Sequence, residues 1–88
     1  MEQKQLFEAL DGLFAFDNGC IDSGIRDEQL RFQVCNHLEA LDENEFRVTL
    51  STFVRQYFVS EERIEKGYGI EDVAKFIRWI DGYMNISL

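Results

Sequence analysis

Large apolar side chains recur at three- and four-residue spacing in four segments of this sequence. Such spacing places them on one side of an α-helix, because an α-helix completes a turn in about 3.6 residues. The sequence contains no proline, so nothing in it forbids long helices. A strand-like pattern is confined to residues 47–50, where the helical spacing accounts for the residues better. The pattern therefore predicts an all-α fold.

The first two helices are predicted on either side of a glycine-containing loop. The first is expected over about residues 2–16, and Asp17-Asn18-Gly19 is expected to end it. Asp27, or the pair Asp22 and Ser23, is expected to cap the second helix. The apolar stripes of these helices consist of Leu6, Phe7, Leu10, Leu13, Phe14, Leu30, Val34, His37, Leu38 and Leu41.

The second half of the chain predicts two further helices and a short helical turn between them. Asp42 followed by Glu45 is typical of a capping box at the start of the third helix. Ser60 is expected to open the short turn, and Gly67-Tyr68-Gly69 to break it. The expected stripes are Phe46, Leu50, Phe53, Val54, Tyr57 and Phe58, then Val73, Phe76, Ile77, Ile80 and Met84; Val48 and Val59 indicate a second buried face that would make the third helix central.

The size of the chain predicts a single domain over residues 1–88. Its 88 residues are 45% hydrophobic and include eight Phe, three Tyr and one Trp, which suffices for one packed core but not for two domains. The expected architecture is a compact bundle of four main helices plus the short turn.

No segment resembles a membrane span or a secretion signal. The longest apolar run, Leu13 to Phe16, is far shorter than the roughly 20 residues that cross a bilayer, and the charged residues Glu2, Lys4 and Glu8 occupy the N-terminus. These features predict a cytoplasmic protein without membrane contact.

The residues needed for catalysis or metal binding are sparse. His37 is the only histidine, and Cys20 and Cys35 are the only cysteines, too few for a zinc site in one chain. Reduced thiols are expected, with a Cys20–Cys35 disulfide as the alternative. No acidic segment has the ligand spacing of a calcium-binding loop. We therefore predict no enzyme activity, no metal and no cofactor.

Negative charge is concentrated at the N-terminal end. The net charge is −8, and residues 1–44 contain three basic and ten acidic residues. Such a balance disfavours direct nucleic-acid binding. The acids form either a solvated surface or an anionic surface that docks on a basic protein. In the second interpretation the partner-binding acids are Glu8, Asp11, Asp17, Asp22, Asp27, Glu28 and Glu39, with Asp42 and Glu43 adding to the field.

Several large apolar residues lie off the predicted stripes. Phe32 and Trp79 are the main candidates for partner binding, because an exposed aromatic ring buries much area at an interface. Phe16, Ile25, Val59 and Tyr68 lie near helix ends or loops. The alternative is that these side chains belong to the core.

The stretch from Ser60 to Ile77 resembles the short third helix and the start of the last helix of acyl carrier proteins. The resemblance implies a phosphopantetheine arm on a serine of an Asp-Ser-Leu motif that opens the preceding helix. Here that position reads Leu41-Asp42-Glu43-Asn44, and the only Asp-Ser pair, Asp22-Ser23, lies roughly twenty residues earlier. A carrier-like domain without the arm is thus the alternative function.

The leading functional prediction is a small, non-enzymatic interaction module, either an adaptor or an inhibitor. One form of it is a nucleic-acid mimic, whose carboxylates occupy the phosphate-binding surface of a nucleic-acid-binding protein. Self-association into a homodimer through the third or fourth helix is compatible with either form.

Overall fold

The computed structural model describes residues 1–19 and 24–87, with side chains up to residue 83. Five helices form: α1 (Gln3–Asp17), α2 (Glu28–Glu39), α3 (Glu43–Tyr57), α4 (Glu61–Glu65) and α5 (Ile70–Ser87). The described residues contain no strand, so the predicted all-α fold of four main helices and one short helix is confirmed. Cys20, Asp22, Ser23 and the side chain of Met84 lie outside the described part, and the predictions made on them are untested there.

By its internal contacts the chain divides into two units, residues 1–40 and residues 41–86. The first contains α1 and α2, and the second contains α3, α4 and α5.

The core of the first unit is built on α1. All five predicted positions of its stripe are buried, and Val34, Cys35 and Leu38 of α2 are buried as well. Leu30 and His37 are only half-buried. Leu41 was predicted to extend the α2 stripe, but α2 ends two residues before it. The 3.6-residue pattern identifies the side of α2 that faces the core, but it does not predict where the helix ends.

Gly12 lies in the middle of α1 directly beneath Ile25. The Ile25 backbone N–H donates a hydrogen bond to the Gly12 carbonyl at 2.9 Å. A Cβ atom at Gly12 would lie 2.6 Å from Ile25 Cγ1, closer than side chains approach one another. The absence of a side chain at Gly12 therefore allows the loop after α1 to return across the helix.

The end of α1 and the start of α2 lie where the sequence predicts them. Asn18 ends α1, with its side-chain amide donating to the Phe14 carbonyl, and Gly19 follows with a φ of 83°. Asp27 caps α2, since its carboxylate accepts hydrogen bonds from the backbone N–H groups of Gln29 and Leu30. Of the two predicted caps for α2, Asp27 is the one observed.

The predicted capping box opens α3. Asp42 accepts a hydrogen bond from the Glu45 backbone, and the Glu45 side chain accepts one from the Asp42 backbone. The helix buries Phe53 and half-buries other members of its stripe. The prediction of a second buried face is wrong, because Val48 is 56% exposed and Val59 52% exposed.

The short helix α4 ends in a Schellman turn. The Tyr68 N–H donates to the Arg63 carbonyl and the Gly67 N–H to the Ile64 carbonyl, with Gly67 at a φ of 99°. The Arg63 guanidinium lies 4.9 Å from the ring centre of Tyr57 and 5.6 Å from that of Tyr68. The predicted break at Gly67-Tyr68-Gly69 is thus confirmed, and α5 starts directly after it.

An aromatic cluster forms the core of the second unit. Phe53 stacks on Tyr57 at 4.7 Å and lies 4.8 Å from Phe76, while Phe58 contacts Phe76 and Tyr68, each at 5.6 Å between ring centres. Phe53, Phe58 and Phe76 are fully buried. These contacts join all three helices of the unit, because they link α3 to α5 and to the turn that follows α4.

Candidate functional site

One exposed face of α2 combines an aromatic ring with two carboxylates. Phe32 is 67% exposed, and Glu28 and Glu39 are exposed as well. Their spacings of four and seven residues place the three side chains within an arc of about 40° on the helix. We call this set of Glu28, Phe32 and Glu39 the α2 outer face. It offers an apolar ring between negative charges, a composition suited to contact with a basic protein surface.

A second predicted acid, Asp17, is engaged by a cation of the same unit. The Arg31 guanidinium donates two hydrogen bonds to the Asp17 carboxylate, at 2.7 and 3.1 Å, in a side-by-side arrangement. Because Asp17 lies at the last residue of α1, its charge would otherwise face the negative end of the helix dipole. The pair neutralises Asp17 and leaves it less suited to a partner's cation.

The other predicted acids in the described part of the first unit are Asp27, Asp11 and Glu8. Asp27 uses its carboxylate as the α2 cap, and Asp11 is half-buried. Glu8 lies on α1, where it lines a groove between α1 and α2 together with Gln33 and His37. Asp22 lies outside the described residues. Among the described acids, Glu28 and Glu39 share the arc of Phe32, so the α2 outer face is a place where predicted binding residues meet.

The groove between α1 and α2 has a volume of about 790 Å³ and a mixed lining. Carboxylate, amide and imidazole groups from Glu8, Gln33, Asn36 and His37 share it with Ile25 and Leu30. His37, a member of the predicted α2 stripe, is half-buried in the last turn of α2.

Trp79, the second predicted aromatic anchor, is half-buried in the aromatic cluster. Its ring lies 4.9 Å from that of Tyr83 and 5.8 Å from that of Phe76. Tyr68, another off-stripe aromatic residue, packs on Phe58 and under Arg63. These side chains contribute to packing in the second unit, so Phe32 is the better candidate for a free anchor.

The second unit has an apolar groove between α3 and α5 that no sequence argument predicted. It has a volume of about 620 Å³, and its apolar lining includes Leu50, Val54, Val59, Val73, Phe76 and Ile77. Ile77 was predicted to be buried with the α5 stripe, but it is 56% exposed. The helical spacing identifies the apolar side of α5 correctly, yet only the part facing Phe53 is covered.

Comparison of the chain with protein-family models, with curated proteins and with solved structures finds no match. Inference about function therefore depends on the residues themselves. No helix in the described part of the chain has the length and apolar character needed to span a membrane. Within residues 1–19 and 24–83, no three His, Cys, Asp or Glu side chains gather as metal ligands would. Cys35 is buried, with its thiol free.

The start of α3 bears on the resemblance to acyl carrier proteins. That resemblance would place an arm-bearing serine at the helix N-terminus, and the structure has Asp42 there, engaged in its capping box. A carboxylate used as a cap offers no hydroxyl for a phosphopantetheine arm.

Glu62 has a pKa below its usual range. The first cause is a hydrogen bond of 3.0 Å from the Lys66 ammonium, and the second is the positive charge of Lys66, with a smaller contribution from Arg63. Glu62 is fully exposed and lies four residues before Lys66 on the helix surface. The shift reflects a surface ion pair rather than a catalytic environment.

Proposed function

We propose that this chain is a small, non-enzymatic interaction module that docks the α2 outer face on a basic surface of another protein. The observation that carries the proposal is the exposure of Phe32 on an ordered, capped helix, with Glu28 and Glu39 on the same arc. A large ring that remains in water on a folded helix is a favourable anchor, because burying it at an interface releases water without unfolding the chain.

The charge of the first unit supports a basic partner. Residues 1–40 contain eight acidic and three basic residues, and Arg31 is already paired with Asp17. The field from the excess carboxylates would speed the encounter with a positive surface, while Phe32 would supply short-range binding energy. In this proposal the contact of Phe32 determines which partner is bound, and the acidic residues increase the rate of association.

A nucleic-acid-binding protein is the partner class that fits this chemistry best. Such proteins carry basic surfaces that neutralise phosphates at regular intervals, and carboxylates on a rigid helix can occupy the same positions. The chain would then act as an inhibitor that competes with nucleic acid. An adaptor, by contrast, would bind its partner without such competition.

Affinity capture from the native cell tests the proposal. The full chain is immobilised and compared with Phe32→Ser and with Glu28→Lys, both of which change exposed side chains. Val48→Ser and Glu65→Lys are matched controls, because they make equivalent changes at exposed positions of the second unit. We expect the two α2 variants to lose the partner and the two controls to retain it.

The capture is then repeated at different salt concentrations and with duplex DNA added as a competitor. Association through the acidic face should weaken steeply between about 50 and 500 mM salt, because exposed charges are screened over a few ångströms at the higher concentration. Added duplex DNA should displace a nucleic-acid-binding partner and leave an adaptor's partner in place. A partner that is captured equally by wild type, Phe32→Ser and Glu28→Lys would overturn the proposal.

A further inference from the structure

The apolar groove between α3 and α5 is open to solvent over much of its length. Phe76 is buried at its base, and Val59 and Ile77 are more than half exposed at its sides. Ile70 lies two turns before Ile77 on the same side of α5 and is 86% exposed, so the apolar surface continues along that helix. A contiguous apolar surface of this kind on a small soluble chain is typical of an interaction site.

Two opposite charges border the groove. Arg55 projects from α3 and Asp81 from α5, and both side chains line it and are exposed. Neither forms an ion pair with another residue of the described part of the chain. The groove thus combines an apolar centre with one available cation and one available anion.

We propose that a second copy of this chain occupies the groove in a two-fold symmetric dimer. In the proposed dimer Arg55 of each protomer lies opposite Asp81 of the other. A two-fold axis places the same surface on both copies, so the formation of one such pair implies the second. The groove supplies both halves of this charge pattern, which makes it complementary to itself.

The net charge of the chain strengthens the choice of this surface. Two copies with a charge of −8 each repel one another over most of their surfaces, and the first unit contributes much of that repulsion. The α3–α5 groove is lined by one positive and one negative side chain, so apolar contact there meets less like-charge repulsion than contact through the acidic first unit. The proposal uses residues of the second unit only and is independent of the α2 outer face.

Sedimentation of the full chain tests the proposal over a range of concentrations up to about 100 μM. We expect a reversible dimer. Ile77→Glu should raise the dissociation constant of the dimer by about tenfold or more, because it places a charge in the centre of the contact. Since Ile77 is exposed in one chain, the variant should keep its helix content, which circular dichroism measures.

Charge reversal distinguishes this dimer from association through another surface. Arg55→Glu and Asp81→Arg should each weaken the dimer, because each turns both attractive pairs of the symmetric interface into repulsive ones. The double variant Arg55→Glu with Asp81→Arg should recover the wild-type dissociation constant. Lys75→Glu, an exposed change on α5 outside the groove lining, is the matched control and should leave the dissociation constant unaltered.

Two results would overturn the inference. One is a chain that sediments as a monomer at the highest concentration. The other is a dimer whose strength is indifferent to the single charge reversals or is not restored by the double variant. Either result leaves the proposed function of the α2 outer face standing, because capture of a basic partner is measured separately.

Discussion

Ile25 lies on Gly12, and a hydrogen bond of 2.9 Å from the Ile25 N–H to the Gly12 carbonyl joins the two residues. This contact holds the end of the α1–α2 loop against the middle of α1. It also explains a glycine in a helix interior, where glycine is otherwise unfavourable by roughly 1 kcal/mol relative to alanine.

Replacing Gly12 with alanine should destabilise the protein despite the better helix propensity of alanine. The added Cβ would lie 2.6 Å from Ile25 Cγ1, so the Ile25 side chain or the backbone that carries it must shift, and we expect a net loss of about 1–2 kcal/mol in the free energy of unfolding. Urea denaturation measures it. Gly82→Ala is the control, since nothing lies near that position in α5, and it should be neutral or stabilising. Equal effects of the two substitutions would contradict the close packing of Ile25 on α1.

Replacing Arg31 with glutamine should lower the free energy of unfolding by about 1 kcal/mol. The substitution removes both hydrogen bonds to Asp17 and leaves that carboxylate at the negative end of α1. Arg26→Gln removes the same charge at an exposed position without a described partner and should change stability by a few tenths of a kcal/mol at most. If the two variants unfold at the same urea concentration, the Asp17–Arg31 pair contributes nothing to stability.

Serine substitutions at the two predicted aromatic anchors should have opposite consequences for stability. Phe32→Ser should leave the melting temperature nearly unchanged, because the ring is already in water. Trp79→Ser should cost about 2 kcal/mol, because it removes the contacts with Phe76 and Tyr83. Thermal unfolding followed by circular dichroism compares them. A large loss at Phe32 would place its ring in the core.

Replacing Lys66 with glutamine should raise the pKa of Glu62 toward its usual value. The substitution removes both the hydrogen bond and the charge that hold the pKa down. A carboxyl group with a lowered pKa stabilises the folded state at pH values above its usual pKa, and this stabilisation is lost as the pH falls through the lowered pKa. The variant should therefore lose the part of the pH dependence of its stability that comes from Glu62. Carbon-detected NMR titration of Glu62 measures the pKa. Lys75→Gln is the control, and a pKa that is the same in all three proteins would show that Lys66 does not act on Glu62.

Local features of this fold could be read from the sequence because their causes are local. The α1 stripe is fully buried, and the Asp42–Glu45 box requires only that two residues lie three apart. The contacts of Gly12 with Ile25 and of Asp17 with Arg31 could not be predicted from the sequence. Each joins residues that are separated by a loop, and the apolar pattern does not specify the path of that loop.

Of the two proposed binding surfaces, one could be predicted from the sequence and the other could not. The exposure of Phe32 was predictable, since its position departs from the α2 stripe. The α3–α5 groove was not, because Ile77 follows the helical spacing as a core residue does, and spacing alone does not tell whether a neighbour covers a side chain. The pairing of Asp17 also depends on tertiary structure, because its partner Arg31 lies on another helix.

The position of Arg63 over two tyrosine rings affects how the connection between α3 and α5 is held. The five residues of α4 are too few to persist as a helix unaided, and the guanidinium spans Tyr57 at the end of α3 and Tyr68 before α5. The aromatic faces attract the guanidinium without an ionised partner. The connection between α3 and α5 is therefore held in part by a contact that requires no carboxylate, so protonation of the acidic side chains of this chain leaves that contact in place.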